Sequence, residues 1–230
     1  MKIHGLQKMT LLDFPGHVAC TVFLGGCDLR CPFCHNYELA DGTAKPVMDD
    51  TELLSFLEKR KGLLDGVAFT GGEPLLHKDL PELMRKIRAM GFSVKLDTNG
   101  YHPDLLEAIL KEGLADYVAM DIKNSPEKYA RTSGLDSIDL SLITRSISLL
   151  MNSNTDYEFR TTVVKEFHEA DDFRKMGEMI RGAKQYFLQA FTDRDTVPFG
   201  GLSAPEKEEM EAFLKISVEY VQKAALRGVD

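Results

Sequence analysis

Three of the chain's four cysteines fall within eight residues, as Cys27-x3-Cys31-x2-Cys34 inside GGCDLRCPFCHN. Thiolates are soft ligands suited to iron and zinc. Three of them on a tight loop can each take one iron of a [4Fe-4S] cubane, which leaves a fourth iron without a protein ligand. Such a vacancy can receive a chelating substrate, as catalytic metal sites keep one position free where structural sites are closed. Gly25 and Gly26 let the backbone turn close to such a group. The same thiols also allow a structural zinc site with Cys20 or His35 as fourth ligand. Zinc sites favour two CxxC pairs, however, and only Cys31 and Cys34 have that spacing. Cys20 lies in an apolar run with Val18 and Val22 and reads as a small buried hydrophobe.

A second set of polar residues follows short apolar runs: Thr70-Gly71-Gly72-Glu73-Pro74, Asp97-Thr98-Asn99-Gly100, and Asp121 with Lys123. The glycines permit close backbone approach, and the Glu73 carboxylate suits an ammonium group. Taken singly, Gly-Gly and Asn-Gly are common turns, and carboxylates near Lys123 make an ordinary salt bridge. Arg160 in YEFRTTVV shares a strand face with Glu158 and Thr162. If that face turns inward, Arg160 needs an anion, either a ligand or a carboxylate such as Glu158.

The elements that would position these groups alternate between strand and helix. Apolar runs at 18–24, 66–70, 93–97, 117–122, 157–164 and 186–190 predict six strands. Amphipathic stretches at about 49–61, 79–90, 103–112, 139–151, 169–181 and 205–227 predict helices between and after them. Asp49 and Asp50, Pro81, and a capping box of Ser203 with Glu206 mark helix starts, while Gly62, Gly91 and Gly113 mark ends. The expected fold is α/β: a partial (β/α)6 TIM-like open barrel of parallel strands, with right-handed crossovers and function at the C-terminal rim. The 230 residues show no linker, so 1–230 reads as a single domain.

The composition narrows the classes. A balance of 28 Lys+Arg against 36 Asp+Glu, net −8, argues against a nucleic-acid partner, which needs a basic surface. No secretory h-region or long apolar run is present, so no membrane partner is expected, and clustered free cysteines suit the reducing cytoplasm. The ten methionines read as core filling, and His4, His17, His77, His102 and His168 lack ligand spacing.

The CxxxCxxC loop, with Phe33 before its last cysteine, resembles the signature of the radical S-adenosylmethionine (SAM) superfamily. That resemblance implies that Cys27, Cys31 and Cys34 hold the cluster, that Phe33 packs beside the SAM adenine, and that Gly71, Gly72 and Glu73 bind the SAM amino group. DFPG (Asp13 to Gly16), CHN (Cys34 to Asn36), DTNG and MDIK (Met120 to Lys123) are similar, in the same order, to glycyl-radical activating enzymes. This implies further SAM-binding roles for Asp97, Thr98, Asn99, Asp121, Lys123 and Arg160, with Asp97, Thr98 and Asp121 able to hold a monovalent cation. It also implies a glycyl-radical enzyme as protein substrate and an external one-electron donor such as flavodoxin or ferredoxin.

The stretch HGLQKMTLLDFPGHVACTVFLGGC looks most like activators of anaerobic ribonucleotide reductase, with pyruvate formate-lyase activases next. The family's histidine in the last strand region is missing, Gln189 and Thr192 standing near its place. The runners-up are a radical SAM enzyme acting on a small molecule and an iron-sulfur or zinc binding module without turnover.

Overall fold

The computed structural model describes residues 1–229. Among them one sheet of eight strands dominates, in the order β10-β9-β8-β7-β6-β5-β3-β2. Its centre is the expected series: β3 (Ala19–Leu24), β5 (Gly66–Gly71), β6 (Ser93–Thr98), β7 (Tyr117–Asp121), β8 (Asp156–Val163) and β9 (Tyr186–Ala190). All pair in parallel. β2 (Gly5–Thr10) adds an antiparallel edge, and β1 (Lys2–Ile3) pairs separately with β4 (Met48–Asp49). The edges β2 and β10 do not pair, so the barrel stays open on that side.

The connecting helices are α2 (Asp50–Glu58), α3 (Leu80–Ala89), α4 (Pro103–Lys111), α6 (Leu140–Met151) and α7 (Ala170–Met179), with short α1 (Tyr37–Asp41) and α5 (Tyr129–Thr132) between them. Their apolar stripes cover the convex face of the sheet. Val67, Phe69, Val94, Leu96, Val118, Met120, Tyr157 and Phe159 are buried there with Leu83, Leu106, Ile147 and Phe173 from the helices. Because successive strand residues point to opposite faces, the intervening residues line the concave side. These are Ala68, Lys95, Asp97, Tyr117, Ala119, Glu158 and Arg160. The strand periodicity thus delivers polar side chains to the barrel interior and apolar ones to the main core.

Two features at the C-terminal end differ from expectation. α8 (Lys207–Ser217) stops ten residues short of 227, and β10 (Ala224–Arg227) forms a seventh parallel strand beside β9. An amphipathic pattern cannot reveal this, because it depends on the open edge of β9 and on bonds such as Tyr186 N to the Lys223 carbonyl, 2.9 Å. The anticipated capping box also shifts. Glu206 caps α8 with Glu209, while Ser203 donates to Glu166 at 2.6 Å, a partner 37 residues away.

Candidate active site

The loop after β3 carries the three cysteines and is fixed from several sides. Gly26 N donates to the Leu39 carbonyl at 2.7 Å, and Arg30 N to the Ser133 carbonyl at 2.8 Å. Gly72 lies so close to this loop that a Cβ there would sit 1.9 Å from Gly26 O. Glu73 N donates to that same oxygen at 2.7 Å, which ties the Gly-Gly-Glu turn after β5 to the cysteine loop. Asn36 Nδ2 donates to the Gly71 carbonyl at 3.2 Å, and Asn99 Nδ2 to Cys27 Sγ at 3.7 Å.

The result is a cavity of about 200 Å³ at the C-terminal ends of the strands. Cys27, Cys31, Phe33 and Cys34 line it, as do Gly71, Gly72, Glu73, Asp97, Thr98, Asn99, Asp121, Lys123 and Arg160. All thirteen residues that the sequence singles out are therefore gathered in one place. Gln189 is not among the lining residues, whereas Thr192 contributes its carbonyl to His35 Nε2 at 2.6 Å. A larger depression, about 1000 Å³, lies by the last turns of α4 and α6, at the opposite end of the sheet, and contains none of these residues.

The cysteines fit an iron-sulfur cubane. All three face the same cavity, while Cys20 sits fully buried in the separate core under the helices and His35 is bonded to Thr192 and stacked on Phe191, so neither stands ready as a fourth ligand for zinc. Among the described residues no three His, Cys, Asp or Glu side chains form a ready-made single-ion site. Thiolates that each bind a different iron do not need to converge on one point. Burial pushes the thiol of Cys27 up to about 12 and that of Cys31 up to about 11, and raises Cys34 as well. Metal ligation releases those protons and so offsets the burial.

Glu73 is 1% exposed. It accepts hydrogen bonds from Leu75 N at 2.9 Å, Thr98 Oγ1 at 2.8 Å and Asn99 N at 2.7 Å. Burial nevertheless dominates and pushes its carboxyl up to about 7, with His102 the nearby cationic group that pulls the other way. Beside it runs a chain of ion pairs. Lys95 contacts Asp97 Oδ1; Arg160 reaches Asp97 Oδ2 at 3.4 Å and Asp121 Oδ1 at 3.0 Å; Lys123 holds Asp121 Oδ2 at 2.9 Å. Burial alone would raise both acids. Arg160 and Lys95 more than offset this at Asp97, holding it below its usual range, and Lys123 with Arg160 pulls Asp121 down to about 2. Arg160 thus bonds neighbouring carboxylates and not Glu158, which is clamped instead by Arg227 at 2.7 and 2.9 Å.

Sequence reasoning missed several residues here. Lys95 is 2% exposed and shares the inward strand face of Asp97, two positions away, a signal available from alternation alone. Histidines also ring the cysteine loop: His102 Nε2 is 2.6 Å from Asp28, and His77 Nε2 is 2.9 Å from the Gly25 carbonyl. No sequence spacing announces these contacts, which span 74 and 52 residues. Chemically, the site offers thiolates for a cluster, a buried carboxylate for an ammonium group, and fixed cations for a carboxylate.

Residues 21–179 match the radical SAM superfamily. Over 99% of the chain and 96% of its relative, the sequence is 29% identical to a protein of Methanocaldococcus jannaschii provisionally named as a glycyl-radical enzyme activating enzyme. A pyruvate formate-lyase-activating enzyme from Clostridium pasteurianum is 36% identical over 54% of this chain and 52% of its own length. The fold is similar to that of a domain of the pyruvate formate-lyase-activating enzyme of Bacteroides vulgatus, with a TM-score of 0.58 and 19% identity over 71% of this chain and 99% of that one. The superfamily implies a [4Fe-4S] cluster and SAM. No helix among the described residues is long and apolar enough to cross a membrane.

Proposed function

The chain belongs to the radical SAM superfamily, and from that premise we propose that it is an activase that generates a glycyl radical on a partner enzyme. Cys27, Cys31 and Cys34 hold the [4Fe-4S] cluster; Gly71, Gly72 and Glu73 receive the amino group of SAM; Phe33 packs beside its adenine. Asp97, Thr98, Asn99, Asp121, Lys123 and Arg160 order the remaining polar groups of SAM. When bound, the reduced cluster supplies the electron that cleaves SAM to methionine and a 5′-deoxyadenosyl radical able to take a hydrogen atom.

One observation carries the reading: a buried carboxylate with no ion pair among the described residues and a set of fixed cations flank three thiols in a single cavity. That arrangement is complementary to an amino-acid moiety held next to a cluster, since an ammonium would pair with Glu73 and a carboxylate with Lys123 or Arg160. Asn99 and Asn36 tie the SAM side to the cluster side, which fixes their relative placement.

A protein substrate is supported by the names of the relatives and by the open barrel side between β2 and β10, through which an extended glycine loop can reach the cavity. Glycine, lacking Cβ, allows the closest backbone approach. Within this reading the partner is anaerobic ribonucleotide reductase, with a pyruvate formate-lyase-type enzyme as the alternative. Flavodoxin or ferredoxin is the electron donor, residues 1–230 act as one radical SAM domain, and the setting is the cytoplasm. A monovalent cation at Asp97, Thr98 and Asp121 would have to replace one of the ion pairs described above.

The test is anaerobic reconstitution and reduction, followed by SAM and the candidate reductase. Formation of 5′-deoxyadenosine together with an electron paramagnetic resonance doublet that collapses on α-deuteration of glycine is expected. Vigorous 5′-deoxyadenosine formation with a small metabolite, and no glycyl signal with any glycyl-radical enzyme of the source organism, would replace the activase with a small-molecule enzyme. Stoichiometric zinc without iron or sulfide would leave only a binding module.

A further inference from the structure

Asp97, Thr98 and Asp121 are the residues that the family resemblance places around a monovalent cation, and the structure leaves that cation no vacant oxygen among their side chains. The four carboxylate oxygens each have a cationic partner: Lys95 on Asp97 Oδ1, Arg160 on Asp97 Oδ2 and Asp121 Oδ1, and Lys123 on Asp121 Oδ2. The Thr98 hydroxyl donates to Glu73 at 2.8 Å and accepts from Gly100 N at 3.0 Å. Two anions are thus met by three fixed cations, and an extra ion would add like charge to a buried cluster.

A cation at Asp97 Oδ1 would have to displace Lys95. Arg160 bridges both acids, while Lys95 pairs with Asp97 and Lys123 with Asp121; of the two lysines Lys95 is the more buried, its side chain 3% exposed against 15%. Its place is built for it. On the sheet Lys95 lies level with Ala68 on one side and Tyr117 on the other, and Asp97 level with Ala119, so the two alanines leave room for the lysine stem on the concave face beside the Tyr117 ring. The side chain is 3% exposed, and a displaced ammonium would be buried without a partner. An ammonium is also a compact, strongly hydrated point charge, closer to an alkali cation than a guanidinium is.

We propose that the Lys95 ammonium stands where a monovalent cation would otherwise sit, neutralising and orienting Asp97, so that SAM binding needs no added K+ or Na+. Lys95 is then a positioning residue, and removing its charge opens a site that a small cation from solution can fill. This rests on the assignment of the rim as the SAM site.

The experiment measures SAM dissociation constants on reconstituted holoenzyme by equilibrium dialysis, in KCl, NaCl or tetramethylammonium chloride at one ionic strength. For the native enzyme the three salts should agree within about twofold. Lys95→Met should bind SAM about tenfold or more weaker in tetramethylammonium, as expected for truncating one partner of a buried charge pair. K+ or ammonium should restore it saturably, which loss of packing alone would not allow. Tightening of native SAM binding by about fivefold or more with K+ or Na+ overturns the proposal, as does a Lys95→Met enzyme indifferent to the salt. The native comparison needs no variant, so it decides even if Lys95→Met does not fold. Absence of SAM binding by the native enzyme in every salt overturns the rim assignment itself, whereas binding that requires added cation overturns only the role of Lys95.

Discussion

Replacing Gly72 with Ala tests whether the cysteine loop and the Gly-Gly-Glu turn act as one unit. The added Cβ would lie 1.9 Å from Gly26 O, and real Cβ atoms essentially never come under 3.0 Å, so the two backbones must part by at least 3.0 minus 1.9, or 1.1 Å. The obstacle is a carbonyl and not the flexible end of a side chain, so rotation cannot relieve it. A shift of that size breaks or weakens the bond from Glu73 N to Gly26 O, now 2.7 Å. Overpacking typically costs about 1–3 kcal/mol, and a lost hydrogen bond about 0.5–1.5 kcal/mol. The sum of roughly 1.5–4.5 kcal/mol corresponds to about tenfold or more in affinity if the strain is relieved by displacing the site.

The variant should therefore still fold, since a domain has about 5–15 kcal/mol in hand, yet lose iron-sulfur loading, SAM affinity or both. Iron and sulfide analysis and SAM binding report the outcome. Gly200→Ala is the control, because nothing lies within 4 Å of its added Cβ. A Gly72→Ala protein that loads its cluster and binds SAM like the native chain would refute the claim that the close approach couples the two loops.

Cys27→Ala, Cys31→Ala and Cys34→Ala should each abolish SAM cleavage and cluster absorption, whereas Cys20→Ala, in the core beneath the helices, should keep both and lower stability by about 1 kcal/mol; iron content and 5′-deoxyadenosine assays distinguish them. Glu73 has its folded pKa raised from the usual carboxylate range to about 7, so the folded state binds its proton more tightly than the unfolded state does. Its contribution to the stability of the cluster-free protein is therefore present below about 4.5 and lost as pH rises to about 7, amounting to about 3 kcal/mol. Denaturant unfolding across that window should show the decline, and Glu73→Gln should flatten it. Arg227→Met leaves the Glu158 carboxylate, which is 2% exposed, with the Tyr117 hydroxyl but no ion pair; because Arg227 is itself partly exposed, a loss of about 2–3 kcal/mol is expected, below the full cost of breaking a buried pair, with faster hydrogen exchange across Ala224–Arg227, and Glu158→Gln should recover part of it. Unchanged unfolding in Arg227→Met would mean that the clamp carries no stability.

Features that depend on short spacing and strict alternation can be read along the chain. CxxxCxxC within eight residues marks the proposed cluster ligands because all three lie on one loop, and the order of strands and helices follows from periods of 2 and 3.6 that need no long-range partner. The rim residues were legible for the same reason: Gly71 to Glu73, Asp97 to Asn99, and Asp121 with Lys123 directly follow or end apolar runs, and strand ends share a rim in a parallel barrel.

How these groups are satisfied depends on contacts made across the fold. Nothing in KAALRGVD distinguishes the end of an amphipathic helix from β10 until the unpaired edge of β9 is there to receive it. Arg160 could have paired with Glu158 on its own strand face. It pairs instead with Asp97 and Asp121, while Arg227, 69 residues from Glu158, clamps that carboxylate. Lys95 reads as one more strand residue until the fold buries it against Asp97, and burial is what turns it from a solvated charge into a fixed counter-ion. Pattern along a chain sets which face a side chain takes. Which opposite charge it meets there is set by strands that fold up beside it from far away in sequence, because a buried charge must find a partner wherever the packing offers one.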